Sequence, residues 1–203
     1  MGKAVAFAYL LLAAPLALGA CDRSAADKTD AAAPAKTDDG MAAMTGTPDE
    51  QAIASAESAA PAAISKAATI VAMNADGSMR ELRKGSNGFT CMGDNPATPG
   101  PDPMCGDANA MEWAAAWIGK KTPPAGKVGF MYMLAGGTDG SNTDPHATQP
   151  TAGNDWIKTG PHVMIVGAKG MMGGYPTAAS PDTAQPYVMW AGTLYEHLML
   201  PVS

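Results

Sequence analysis

The chain has 203 residues, a formal net charge of −6 and three cysteines. Residues 61–203 carry eleven acidic and nine basic side chains, so this part of the chain is close to neutral and shows no basic patch. That balance argues against nucleic acid as a partner and against direct binding of this part to anionic lipid.

The first twenty residues have the pattern of a secretory signal peptide. Lys3 lies next to the start, and the apolar run 4–19 leads to the small residues Gly19 and Ala20. The run is 16 residues long, whereas a membrane-spanning helix needs about 20 apolar residues. We therefore expect residues 1–20 to be removed after export.

The four residues at the end of this segment, Leu18-Gly19-Ala20-Cys21, resemble the lipobox of bacterial lipoproteins. The resemblance implies that the Cys21 thiol receives a diacylglyceryl group and that lipid anchors the exported chain to a bacterial membrane. The folded part would then lie in the periplasm or at the cell surface. The alternative is an ordinary secretory peptide whose cleavage site happens to precede a cysteine. The sequence leaves open the choice between the inner and the outer membrane.

Residues 21–60 are predicted to be a lipidated cysteine followed by a disordered tether. Residues 22–60 hold thirteen alanines, no aromatic residue, and eight acidic against three basic side chains, so they have little to bury. Within them, Thr47-Pro48-Asp49-Glu50 has the pattern of a capping box and predicts a short helix over 48–60. Residues 61–203 are predicted to form a single globular domain.

The globular domain is predicted to be α+β, with a mainly antiparallel sheet and one main helix over about 107–118. Asp107 is a suitable N-cap for this helix, Gly119 ends it, and Trp113 and Trp117 lie on one of its faces. Residues 74–77 have the pattern of a hairpin turn. Strands are predicted at 68–73, 79–84, 89–92, 127–135, 162–167, 187–190 and 196–202. Two stretches, 93–104 and 136–160, are predicted to be long irregular loops, which in compact domains are usually functional or mobile.

Cys91 and Cys105 flank the proline-rich loop 93–104. Two thiols in a small exported domain normally pair, and this loop has little to bury, so we predict a structural disulfide. The rival interpretation is a redox or metal-binding pair, although the Cys-x-x-Cys spacing of redox motifs is absent.

The fifteen methionines and three histidines are the candidate metal ligands. Thioethers select Cu(I), but methionine as adaptable core filler is the interpretation that the sequence favours. His162 and His197 lie in predicted strands and would converge if those strands were neighbours, with Asp144 or His146 added from the 136–160 loop. Such a set would suit Zn or Cu. The alternative is that the histidines are buried and hydrogen-bonded to the backbone.

The sequence carries no Gly-x-Ser-x-Gly elbow, phosphate loop or Gly-x-Gly-x-x-Gly motif. We therefore expect a non-catalytic envelope lipoprotein that binds a small ligand or a partner, and we predict no cofactor. The alternative is a metal-dependent enzyme or metal-handling protein that uses Zn or Cu at His162 and His197.

Several segments of residues 61–203 are similar to a group of exported bacterial proteins. The similarity lies in residues 87–92, 101–105, 111–113, 141–145, 160–165, 190–193 and 197–202. It covers essentially the whole predicted domain. No activity is assigned to that group, so the resemblance implies export but no role for any residue.

Overall fold

The computed structural model describes residues 46–98 and 100–202. In chain order the elements are α1 (Pro48–Ser58), α2 (Ala62–Ser65), β1 (Thr69–Met73), β2 (Met79–Arg83), β3 (Phe89–Met92), β4 (Met104–Asp107), α3 (Ala108–Ile118), β5 (Gly129–Met133), β6 (Gly140–Ser141), β7 (Trp156–Ile157), β8 (His162–Val166), β9 (Tyr187–Met189) and β10 (His197–Pro201). The segment predicted to be a signal peptide, Cys21 and most of the predicted tether lie outside the described residues. Within those residues, none of the helices has the length and apolar character needed to span a membrane.

Eight of the strands form one sheet in the order β2-β1-β3-β4-β5-β8-β10-β9. Neighbouring strands are antiparallel except for β1 and β3, which are parallel. The prediction of a mainly antiparallel sheet is confirmed, and the predicted main helix is one of three helices among the described residues. The predicted hairpin is also present, since β1 pairs with β2 and Gly77 takes a positive φ of 82° in the turn.

Strand β4 was not predicted from the sequence. Residues 93–104 were expected to be irregular as a whole, yet β4 begins at Met104 and lies between β3 and β5. Its register places Cys105 directly opposite Cys91, and the predicted disulfide joins them. A four-residue strand that contains a glycine carries no periodic pattern that sequence analysis could detect.

Helix α1 is confirmed within the range predicted for it, and both hydrogen bonds of its capping box form between Thr47 and Glu50. One side of the helix is buried, however. Ala56 and Ala59 are fully buried, and Glu57 forms ion pairs with Arg83 and Lys66. Residues 48–60 therefore pack with the sheet, and the solvated tether predicted up to residue 60 does not extend over α1.

Helix α3 lies where the sequence places the main helix. The Asp107 side chain accepts a hydrogen bond from the Ala110 backbone N–H at the helix start, and Gly119 is the C-cap. The helix lies directly against the sheet, because a Cβ at Gly129 would stand 2.3 Å from the backbone nitrogen of Ala110. Only glycine permits so close an approach between strand and helix.

The two faces of the sheet differ in composition because successive side chains of a strand point to opposite sides. One face, here called the methionine face, lies under α3 and carries Met104, Met131, Met133, Met164, Met189 and Met199. The other, here called the disulfide face, lies under α1 and α2 and carries Ile70, Cys91, Cys105 and Tyr132. Further along the disulfide face, Met172 packs with Val188 and Leu198.

Candidate ligand-binding cavity

A cavity of about 370 Å³ lies between the methionine face, helix α3 and the loop that follows β5. Its walls are mainly apolar. Six methionines, four tryptophans and two histidines line it: Met104, Met131, Met133, Met164, Met189, Met199, Trp113, Trp117, Trp156, Trp190, His162 and His197. Every tryptophan of the chain and two of its three histidines therefore line the cavity.

The pairing of three strands brings methionines from distant parts of the chain into one row. Met131 of β5 lies opposite Met164 of β8, and Met164 lies opposite Met199 of β10. We call these three residues the methionine row. The two histidines lie on opposite sides of the row. His162 precedes Met164 by two positions and His197 precedes Met199 by two, while β8 and β10 run antiparallel. This alternation directs all five side chains to the same face.

Each imidazole is held by a hydrogen bond to the backbone carbonyl of the residue two positions earlier. His162 Nδ1 lies 2.7 Å from the Gly160 carbonyl oxygen, and His197 Nδ1 lies 2.9 Å from the Tyr195 carbonyl oxygen. Because a carbonyl oxygen can only accept, Nδ1 carries the proton in each ring and Nε2 keeps a lone pair. The prediction of buried histidines bonded to backbone is confirmed for these two residues.

Burial controls the charge of both rings. Desolvation lowers the pKa of His197 to about 4 and also lowers the pKa of His162. Both imidazoles are therefore neutral at pH 7. Among the described residues, His197 Nε2 is buried without a hydrogen-bond partner, so the cavity holds an unused acceptor.

Trp190 lines the cavity and lies next to the His197 ring. Its ring centroid lies 4.8 Å from that of His197, and its Nε1 donates a hydrogen bond to the Ser141 carbonyl oxygen at 2.8 Å. The residue has a φ of 54°, a left-handed backbone conformation that is rare for a bulky side chain. Such conformations persist where the surrounding structure imposes them and cluster at functional sites.

The charged side chains of the lining are acidic. Asp102, Asp139 and Asp144 line the cavity, and none of its described lining residues is Lys or Arg. Desolvation raises the pKa of Asp102, which accepts hydrogen bonds from the Thr98 hydroxyl at 2.9 Å and the Thr138 hydroxyl at 3.1 Å. The cavity therefore favours neutral or cationic ligands over anions.

The structure brings together part of the predicted metal set. His162, His197 and Asp144 all line the cavity. His146 does not line it, and its ring packs against Tyr195 with a centroid distance of 5.4 Å. Across residues 46–98 and 100–202, no three His, Cys, Asp or Glu side chains come close enough to share a metal ion.

The methionine row is not evident from the sequence. The available signals were the high methionine count and the alternating pair Met131 and Met133. Neither signal shows which strands are neighbours, and the row spans β5, β8 and β10. Trp156 and Trp190 were likewise not recognised as cavity residues, because the sequence does not show that β7 and the end of β9 lie beside the same cavity.

Comparison of the chain with protein-family models, with curated proteins and with solved structures gives no match in any of the three.

Proposed function

We propose that the chain is a bacterial envelope lipoprotein whose α+β domain binds a small, mainly apolar ligand without catalysing its conversion. The ligand occupies the cavity between the methionine face and α3. The lipid on Cys21 holds the domain at the membrane. The observation that carries the proposal is the concentration of all four tryptophans, six methionines and two neutral histidines around one cavity.

The size and lining of the cavity support a binding role. Ligand pockets usually measure about 300–1,000 Å³ and have apolar, aromatic walls with a few placed polar groups. This cavity is within that range at about 370 Å³. Methionine side chains adapt to irregular shapes, and tryptophan offers large flat surfaces, so together they suit a compact apolar molecule.

The acidic side chains of the lining indicate the charge of the ligands that the cavity favours. The described lining residues include three aspartates and no Lys or Arg. A phosphate or carboxylate in the cavity would therefore lack a cationic partner and would lie near acidic groups. We expect a neutral or positively charged ligand.

The surroundings of the histidines support a role in binding rather than catalysis. A nucleophile in acyl or group transfer is normally hydrogen-bonded to a base. In the described part of the chain, the hydrogen bonds of His162 and His197 go to backbone carbonyls, and no Ser, Thr or Cys side chain donates to either ring. The imidazoles thus lack a hydrogen-bonded nucleophile.

The binding role is tested with a neutral fluorophore, N-phenyl-1-naphthylamine, added to the full chain carrying Cys21→Ser. We expect one saturable site whose occupation quenches tryptophan fluorescence. Ala114→Leu, which projects into the cavity, should weaken binding. Ala115→Leu makes the same change on the exposed side of α3 and serves as the matched control. Equal binding by the two variants, or no saturable binding by the parent chain, would refute the cavity as the site.

The lipoprotein assignment has its own test. Cells that express the unaltered chain should incorporate labelled palmitate into it, and the Cys21→Ser chain should remain unlabelled. The unaltered protein should partition with membranes. Label in both proteins, or in neither, would contradict attachment of lipid at Cys21.

A second candidate function is metal handling or metal-dependent catalysis through His162 and His197. The observation that favours it is that both histidines line one cavity and carry Nε2 lone pairs. The chain purified without a histidine tag should then contain Zn, Cu or Fe in stoichiometric amount by elemental analysis. Metal content that is negligible, or that is unchanged by His162→Ala and His197→Ala, would eliminate this candidate.

A further inference from the structure

The lining of the cavity includes neutral sulfur and nitrogen donors that come from two neighbouring strands. We propose that Met164 and Met199, together with Nε2 of His197, form a binding site for one soft monovalent metal ion of the Cu(I) class. The proposal goes beyond the proposed function, because it assigns to the same cavity an ion site that does not depend on the apolar ligand.

Strand register places the sulfur donors side by side. Met164 and Met199 are direct partners in the antiparallel pair β8–β10, and Met131 is the next residue in the row. Side chains that face each other in this way have Cβ atoms about 4.5–5.5 Å apart. Thioethers on such flexible chains are able to meet at one point above the sheet, and both residues line the cavity.

His197 supplies the nitrogen donor in the tautomer that metal binding through Nε2 requires. Its Nδ1–H donates to the Tyr195 carbonyl oxygen at 2.9 Å, so Nε2 is the free donor. Metal-binding histidines usually hold their second nitrogen in this way, which fixes the ring and its tautomer. The ring is 1% exposed, and its Nε2 has no hydrogen-bond partner among the described residues. A buried acceptor without a partner is costly unless a ligand uses its lone pair.

The donor types select a soft ion and disfavour zinc. Thioether sulfur binds Cu(I), whereas zinc sites are built from thiolates, imidazoles and carboxylates. The described residues contain no group of three such zinc ligands. An ion of charge +1 also leaves little uncompensated charge among neutral donors, and Asp102, Asp139 and Asp144 give the lining an electrostatic preference for cations.

The surrounding tryptophans provide a direct optical signal. The Trp190 ring centroid lies 4.8 Å from that of His197, and the Trp113 centroid lies 5.3 Å from it. A heavy ion bound at Nε2 would therefore quench the fluorescence of both indoles. Trp156 and Trp117 also line the cavity, so binding there should affect most of the emission.

The test uses Ag(I), which shares the ligand preference of Cu(I) and needs no reductant. The probe is added to the full chain carrying Cys21→Ser. In this protein the remaining cysteines are joined as Cys91–Cys105, so no thiol competes for the ion. Native mass spectrometry should show one Ag(I) per chain, with tryptophan quenching that saturates at the same ratio.

Variants then assign the ligands. Met164→Leu and Met199→Leu conserve side-chain volume, and each should lower Ag(I) affinity at least about tenfold, as disturbance of a metal site typically does. Met172→Leu alters a methionine buried against Val188 and Leu198, outside the cavity, and is the matched control. His197→Gln should weaken binding as the sulfur variants do.

Two results would overturn the inference. One is the absence of a stoichiometric Ag(I) complex, and the other is an equal affinity of Met164→Leu and Met172→Leu. The fluorophore experiment separates this failure from failure of the proposed function. If N-phenyl-1-naphthylamine binds in the cavity and Ag(I) does not, the binding role stands and the ion site is wrong. If Ag(I) binds as described and the fluorophore does not, the ion site stands alone.

Discussion

The two faces of the sheet differ in how tightly their side chains pack. On the disulfide face, small side chains allow α1 to approach closely, and Ala56, Ala59, Cys91 and Cys105 are all 0% exposed. On the methionine face, large side chains pack under α3 but leave a cavity of about 370 Å³. The same sheet therefore carries a tight, cross-linked layer on one side and an incompletely filled layer on the other.

Under the proposed function, the disulfide face stabilises the fold and the methionine face binds the ligand. Unfilled space and buried polar atoms without partners lower stability, as the cavity and His197 Nε2 do on the methionine face. A disulfide and close alanine packing on the opposite face stabilise the same sheet. We infer that the disulfide face compensates for the looser packing of the methionine face.

The largest expected effect concerns the disulfide. Replacing both cysteines, Cys91→Ser with Cys105→Ser, should lower the free energy of unfolding by about 2–5 kcal/mol, as loss of a native disulfide does in small exported domains. Urea denaturation followed by circular dichroism measures this change. Binding of N-phenyl-1-naphthylamine before the transition should persist, because the cavity lies on the other face.

The oxidised state itself is checked with a thiol reagent. The Cys21→Ser chain should show no reactive thiol until it is denatured and reduced. Two thiols that react in the native protein would contradict the disulfide and would remove the basis for the contrast between the faces.

A second pair of variants compares the packing of the two faces directly. Ala56→Leu adds three carbons to a site that has no space, so it should lower the free energy of unfolding by about 1–3 kcal/mol. Ala114→Leu adds the same carbons towards the cavity, and substitutions that fill cavities commonly add about 0.5–2 kcal/mol. Denaturation curves of the two variants should therefore shift in opposite directions. Equal losses of stability would show that the methionine face is as tightly packed as the disulfide face.

The buried histidines predict a pH dependence that belongs to the methionine face. The pKa of His197 is about 4 in the folded chain against an ordinary value of 6.5. As the pH falls from 6.5 towards 4, the unfolded chain binds a proton at this ring and the folded chain does not, so stability falls. The slope from one such group approaches about 1.4 kcal/mol per pH unit.

The contribution of His197 is isolated by comparing the parent chain with His197→Gln. Denaturation between pH 6.5 and 5 should show a shallower slope for the variant, and His162→Gln should act in the same direction because the pKa of His162 is also lowered. An unchanged slope in both variants would mean that neither ring is held neutral by burial.

Local signals in the sequence predicted much of the fold. The capping pattern at Thr47, the N-cap Asp107 and the turn at Gly77 depend on residues close in sequence, and each lies at the element predicted for it. The disulfide followed from the number of cysteines and the expected compartment. Strand β4 was missed because its position depends on pairing with β3 and β5.

The candidate site was only partly predictable for the same reason. His162 and His197 were identified as a pair, yet the sequence could not show that β10 lies beside β8. The methionine row depends on the register of three strands, and no short motif contains it. His146 was included by proximity to Asp144 in sequence, but its ring packs on Tyr195 outside the cavity lining.

The most direct test of the account is a methionine methyl NMR spectrum of the Cys21→Ser chain, because methionines report on both faces at once. Addition of N-phenyl-1-naphthylamine should shift the methyl signals of cavity residues such as Met131, Met164 and Met199. The signal of Met172, on the disulfide face, should stay in place. Shifts at Met172 without shifts in the methionine row would contradict the assignment of binding to the methionine face.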